Sequence, residues 1–192
     1  KKKVKLKIPK RNKKYATVEM VLKNAKLELD RILNGIQDNE LAIEDLTQIL
    51  ELSDQPKRIE GYDISHIQGT DPVASQVVFI DGIPSKQNYR KYKIKDSNVF
   101  IGHSDDFASI YEVILRRFRK WSRFKNNGGD LSIIKDKKNS KLSNELFSDW
   151  PDLIMIDGGK GQLNAAIKAL IELNLEEEVT ICSLAKKNEE IF

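Results

Sequence analysis

Three extended runs come after Pro56 in close succession, RIEGYDISH, VASQVVFID and NYRKYKIK, and their spacing constrains the fold more than any other feature. A parallel crossover needs a dozen or more residues, usually a helix, and no connection here is that long. DGIP (81–84) between the second and third runs reads as a tight turn, so the three form an antiparallel meander. Beyond the meander the period changes. In HSDDFASIYEVILRRFRKW, Phe107, Ile110, Ile114, Phe118 and Trp121 recur at helical spacing behind Ser104 as N-cap. LIMI, ending in Asp157-Gly158-Gly159, is the continuous apolar run of a strand buried on both faces, and VTICSLA (179–185) is another. Between them Leu163, Ala166, Ile167, Leu170 and Ile171 mark the buried face of a helix. The order β-β-β-α-β-α-β predicts an α/β fold, a mixed sheet covered by helices.

Ahead of Pro56 the chain predicts a lead-in. VKLKIP (4–9) alternates like an edge strand, and Val18, Val21, Leu22, Ala25, Leu29, Ile32 and Leu33 define a first helix that Asn34-Gly35 should stop. Ala42, Ile43, Leu46, Ile49 and Leu50 define a second, which must end before Pro56. Residues 125–149, polar and rich in Gly, Asn and Lys, read as a surface insertion. With 192 residues the chain holds one good-sized domain with a helical appendage. It contains no apolar run near the roughly 20 residues that span a bilayer. The single cysteine, Cys182, excludes a disulfide framework and a Cys-rich zinc site, and fits a reducing cytosol. Net charge is +4, concentrated in KKKVKLKIPKRNKK and in RRFRKWSRFK. Cations interleaved with aromatics suit a nucleic-acid backbone, although lysines of this kind also serve solubility. The first Met is Met20, and the chain is expected to be a piece of a longer protein.

Asp63 stands inside the first extended run, where aspartate is disfavoured unless it has a partner or a metal. Asp157 ends a buried strand, the place where open α/β sheets put their ligands. Two carboxylates at neighbouring strand tips can share Mg²⁺ or Mn²⁺, hard cations that prefer oxygen. Asp105 and Asp106 open the next helix, where acidic residues also complement the helix dipole. GGKGQ (158–162) offers a glycine loop at a helix start but matches neither GxxxxGK[ST] nor GxGxxG. Lys160, Arg90, Lys91, Arg116 and Arg117 are candidate phosphate contacts. His66 suits a hydrogen-bonded structural role, His103 is unassigned, and Cys182 reads as core.

Taken in order, PKRNKKYATVEMVLKNAKLEL, YDISHIQGTDPVASQVVFIDG, YRKYKI, DDFASIYEVILRRF, PDLIMIDGGKGQLNAA and SLAKKNEEIF closely resemble the C-terminal endonuclease domain of UvrC, the incision subunit of bacterial UvrABC excinucleases. The resemblance implies an RNase H-like mixed five-stranded sheet flanked by helices, with residues 1–56 as lead-in and 57–192 as nuclease domain. It places the family's catalytic aspartates on Asp63, Asp106 and Asp157, with the metal on Asp63 and Asp157. It further implies Mg²⁺ or Mn²⁺ as cofactor, damaged double-stranded DNA as substrate cut 5′ to the lesion, UvrB and UvrA as partners, and a cytoplasmic location. Similar proteins carry a catalytic histidine in a later segment, so the last helix and that histidine are expected to lie outside this chain. The 125–149 insertion departs from the family's shorter connection. A junction resolvase of the same fold, or a non-catalytic DNA- or partner-docking module, would be the alternatives.

Overall fold

β1 (Arg58–Ser65) and β2 (Val73–Ile80) pair antiparallel along their whole length, from Arg58 opposite Ile80 to Ser65 opposite Val73. The computed structural model describes residues 12–65, 73–95, 106–132, 149–185 and 190–192. Asp81 and Gly82 turn β2 back with φ of 49° and 75°, the doubly positive pair that a two-residue hairpin loop requires. The third run of the meander is split. β3 (Ile83–Pro84) pairs with the end of β2, a short 3₁₀ turn over Lys86–Asn88 intervenes, and β4 (Arg90–Lys93) pairs with the beginning of β2. Pro84 lacks the N–H that a continuous ladder would use, which confines it to this edge.

β5 (Leu153–Asp157) lies parallel beside β1, β6 (Thr180–Ala185) parallel beside β5, and β7 (Glu190–Ile191) antiparallel on β6. The sheet order is β3-β2-β1-β5-β6-β7, with β4 also on β2. This is the expected mixed sheet, with seven strands where five were anticipated. The difference is the split third run and the two-residue β7. Asp152 Oδ2 accepts the backbone N–H groups of Lys57 and Arg58 at 2.9 and 2.7 Å, which fixes the start of β5 against the start of β1.

α2 (Asp106–Asn126) and α3 (Lys160–Glu172) cover one sheet face. There Tyr62, Ile154 and Ile156 meet Ile110, Val113, Ile114, Phe118 and Trp121 of α2, and Ala166, Ala169 and Leu170 of α3. The rings of Phe118, Trp121 and Trp150 close one end of this core with centroids 5.1–5.8 Å apart. α3 is rotated from the expected face: Ala165, Ala166 and Ala169 are buried while Ile171 is 51% exposed, because small side chains let α3 approach closely. Phe107 is 54% exposed, outside the stripe its spacing suggested.

On the other face Leu46 and Leu50 pack against Ile59, Leu153 and Cys182. Leu46 belongs to α1 (Asn12–Ile49), one helix of 38 residues where two were expected. Asn34-Gly35 does not stop it, since a glycine inside a helix costs only about 1 kcal/mol relative to alanine. The expected strand at 4–9, Ser104, and residues 133–148 of the insertion lie outside the described residues. The described ends of that insertion are packed: Leu131 is buried, and Lys125 Nζ donates to the Asn174 carbonyl and to Glu178 at 2.8 and 2.7 Å. Among the described residues no helix is long and apolar enough to cross a membrane.

Candidate active site

The sheet register builds the site. Asp63 lies opposite Ser75 across the β1–β2 pair, and Tyr62 lies beside Ile156 across the parallel β1–β5 pair. One position further along both strands stand Asp63 and Asp157, on strands spaced about 4.8 Å apart. Both carboxylates line one shallow depression with Gly61, Ser75, Val77, Met155 and Leu184. Ser65 Oγ donates to Asp63 Oδ2 at 3.2 Å, orienting that carboxylate from the same strand. The rest of the depression is mainly apolar, and it is tight at one point. A Cβ on Gly61 would lie 2.8 Å from Val77 Cγ2, so only glycine fits across from that valine.

The glycine loop after Asp157 is shaped around Gln162. The Gly158 N–H donates to the Leu184 carbonyl at 3.0 Å and the Gly159 N–H to Gln162 Oε1 at 2.8 Å. A Cβ on Gly158 would collide with the same Gln162 side chain. These two N–H groups are thus satisfied internally, and the loop serves as a helix cap. It starts α3 at Lys160, which is exposed and holds Nζ 4.5 Å from the Phe192 ring centroid. Asp106 is the first residue of α2. Its neighbour Phe107 lies over Gly161, where an added Cβ would come within 2.6 Å of the ring. The starts of α2 and α3 therefore meet beside the loop that leaves Asp157.

The family model of the UvrC RNAse H endonuclease domain matches residues 47–192. The chain belongs to that family. UvrABC system protein C of Prochlorococcus marinus strain MIT 9312 is 88% identical over 192 residues, all of this chain and 29% of that protein. The protein of the same name from Prochlorococcus marinus subsp. pastoris is 83% identical over 191 residues, with the same coverage. The chain thus spans under a third of the length of these curated relatives. A crystal structure of Ciona intestinalis endonuclease V with a 24mer DNA aligns at TM-score 0.35 and 17% identity, over 69% of this chain and 47% of that one. A likeness that loose carries no argument.

Within this UvrC domain, the structure brings together Asp63 and Asp157. Asp106 is carried to the neighbouring helix start, and among the described residues no three His, Cys, Asp or Glu side chains form a ready metal cage. Asp105, His66 and His103 lie outside the described residues. The donor chemistry of the pair fits a hard divalent cation, which accepts two carboxylates and fills its remaining positions with water and phosphate oxygens.

The basic residues divide. Arg90 and Lys91 are exposed on β4. Arg116 is held by the Lys93 carbonyl at 2.7 Å and Glu112 at 2.9 Å. Arg117, expected among the phosphate contacts, is 4% exposed and turned into the core. Its Nε and Nη2 donate to the two oxygens of Glu60 at 3.0 and 2.6 Å, and its Nη1 lies 3.3 Å from Asp149 Oδ2. Glu60 also accepts from Arg58 and from the Tyr62 hydroxyl at 2.8 Å. Burial works against the Arg117 charge, yet hydrogen bonding and the charge of Glu60 outweigh it and hold its pKa above the usual value. Burial, with the charge of Glu60, pushes the Tyr62 phenol well up. This ion cluster has a sequence signal. Arg117 falls three residues after Ile114 and four before Trp121, on the buried stripe, and Glu60 shares the buried side of β1 with Tyr62.

Proposed function

We propose that this UvrC domain hydrolyses a phosphodiester of damaged double-stranded DNA on the 5′ side of a lesion, acting with UvrB and UvrA in excision repair. The observation that carries this reading is the meeting of Asp63 and Asp157 at adjacent strand tips. Asp63 and Asp157 would hold Mg²⁺ or Mn²⁺, which lowers the pKa of water and offsets charge developing on the phosphate. Ser65 keeps Asp63 turned toward the depression, so its carboxylate need not be reoriented when substrate arrives. Gly61, Val77 and Met155 give the depression an apolar flank beside both carboxylates. Asp106, at the start of α2, would complete the set directly or through water. Lys160 and Lys91 stand on opposite sides of the pair and would neutralise adjoining phosphates.

The test is a full-length UvrC carrying Asp63→Asn. Incision of a lesion-bearing duplex should fall at least about 100-fold with the melting temperature unchanged. Calorimetry on the 192-residue chain should show saturable Mn²⁺ binding that this substitution removes. Normal incision by the variant would sink the assignment.

A further inference from the structure

RKYKIK (90–95) alternates, and the sheet sorts the alternation by face. Tyr92 packs on the core and donates its hydroxyl to Gln76 at 2.9 Å, and Ile94 is 5% exposed, so that side of β4 faces α2. Lys91 and Lys93 point the other way, and both are exposed. Lys91 lies opposite Ser75, which lies opposite Asp63; Lys93 lies opposite Val73, which lies opposite Ser65. Directly paired residues share a sheet face. One row across the sheet therefore reads Lys91, Ser75, Asp63, with Asp157 one strand further. The face is the one that bears the candidate active site. Arg116 Nη1, donating to the Lys93 carbonyl, fixes the end of this edge strand to α2. Past Asp157, Lys160 stands beside Phe192, whose backbone pairs with Ser183 of β6.

We infer that a single DNA strand lies across this face at the carboxyl end of β1 and β5, its phosphates on Lys93 and Lys91 to one side of the carboxylate pair, and leaves the sheet over the strand ends past Lys160, where α3 begins on the opposite face. The inference rests on the nuclease function proposed for Asp63 and Asp157 and adds the path of the strand to it. Lys91 and Lys93, at i and i+2 along the strand, sit about 6.7 Å apart and present two cations to a strand that crosses the edge there. Ser75 stands between Lys91 and Asp63 in the row, and its hydroxyl is a neutral donor that a phosphate oxygen can use. About two strand spacings, roughly 10 Å, separate Lys91 from Asp63, so Lys91 contacts a flanking phosphate and not the scissile one. Lysines on an edge strand also keep sheets from pairing with each other, and that role alone would place no demand on which face they occupy.

The experiment measures binding of this chain to an unmodified duplex by fluorescence anisotropy over a series of salt concentrations. Lys91→Gln/Lys93→Gln is compared with Arg119→Gln/Arg123→Gln, two exposed cations of α2 outside the row. Each lost phosphate contact lowers the slope of log K against log salt by about 0.9. The row variant should lose nearly two units of slope and the α2 variant close to none. Equal losses from both pairs, no loss from the row pair, or no measurable binding by the unmodified chain would each overturn the path. Asp63→Asn in full-length UvrC separates the two readings: normal incision there defeats the nuclease assignment, whereas the salt slopes judge the path.

Discussion

Arg117 of α2 grips both oxygens of Glu60 on β1, with Nε and Nη2 at 3.0 and 2.6 Å and both side chains almost wholly out of solvent. The strand that carries Asp63 and the helix that begins at Asp106 are thereby joined by a buried ion pair. Such a pair gives little net stability over an apolar substitute, but breaking it leaves a charge uncompensated.

Arg117→Met should cost about 3 kcal/mol, the lower part of the range for a broken buried pair, because Glu60 retains Arg58 and Tyr62. Glu60→Leu should cost more, about 5 kcal/mol, since it takes the shared carboxylate from Arg58 and Arg117 together and leaves Arg117 only Asp149. Urea denaturation of both variants checks the order. A smaller loss for Glu60→Leu would contradict it.

Asp149 gives the ion cluster a pH dependence. Burial works to raise its pKa, but the hydrogen bond from Lys120 and the charges of Arg117 and Lys120 prevail and hold the carboxyl below its usual range. A depressed folded-state pKa adds stability that is fully present above the unfolded value, about 3.9, and is lost as pH falls through the folded one. The stability gap between the unmodified chain and Asp149→Asn should therefore be constant from about pH 7 to 5 and shrink below about pH 4. Thermal melts across that range measure it.

Gly61→Ala should destabilise by about 1–3 kcal/mol, since its Cβ would lie 2.8 Å from Val77 Cγ2 in the middle of a paired sheet. Adding Val77→Ala should return part of that loss. Denaturation of the single and double variants reveals the coupling, and additive losses would show that the contact relaxes elsewhere.

Cys182 should be inert in the folded chain. Burial pushes its thiol up to about 11, so it stays protonated through pH 8. Thiolate is the reactive form, and a thiol reagent at pH 8 should label Cys182 only on unfolding. Rapid labelling of the native chain would refute this placement.

Much of the fold and of the candidate site was legible in the residues themselves. Short connections dictated the meander, and the unbroken LIMI run dictated a central parallel strand whose tip carries Asp157. Asp63 stood out because nothing in strand chemistry asks for a carboxylate there. The departures share a cause: packing decides what local composition only suggests. Asn34-Gly35 looks like a stop, yet α1 continues through it. RRFRKW looks like a solvated basic face, yet its second arginine points inward because Glu60 awaits it from a distant strand. Charge alone singles out Lys91, but Lys93 joins it only when the register places both on the face of Asp63.

Asp63 and Asp157 are about half the chain apart in sequence and become neighbours only when β5 docks parallel to β1. During synthesis the first carboxylate exists long before the second, and α2 with everything up to Pro151 must emerge in between. A partly made or partly melted chain therefore holds two isolated aspartates and lacks the carboxylate pair. The two carboxylates thus become a pair only at the step that joins β5 to β1, one of the last the chain can take.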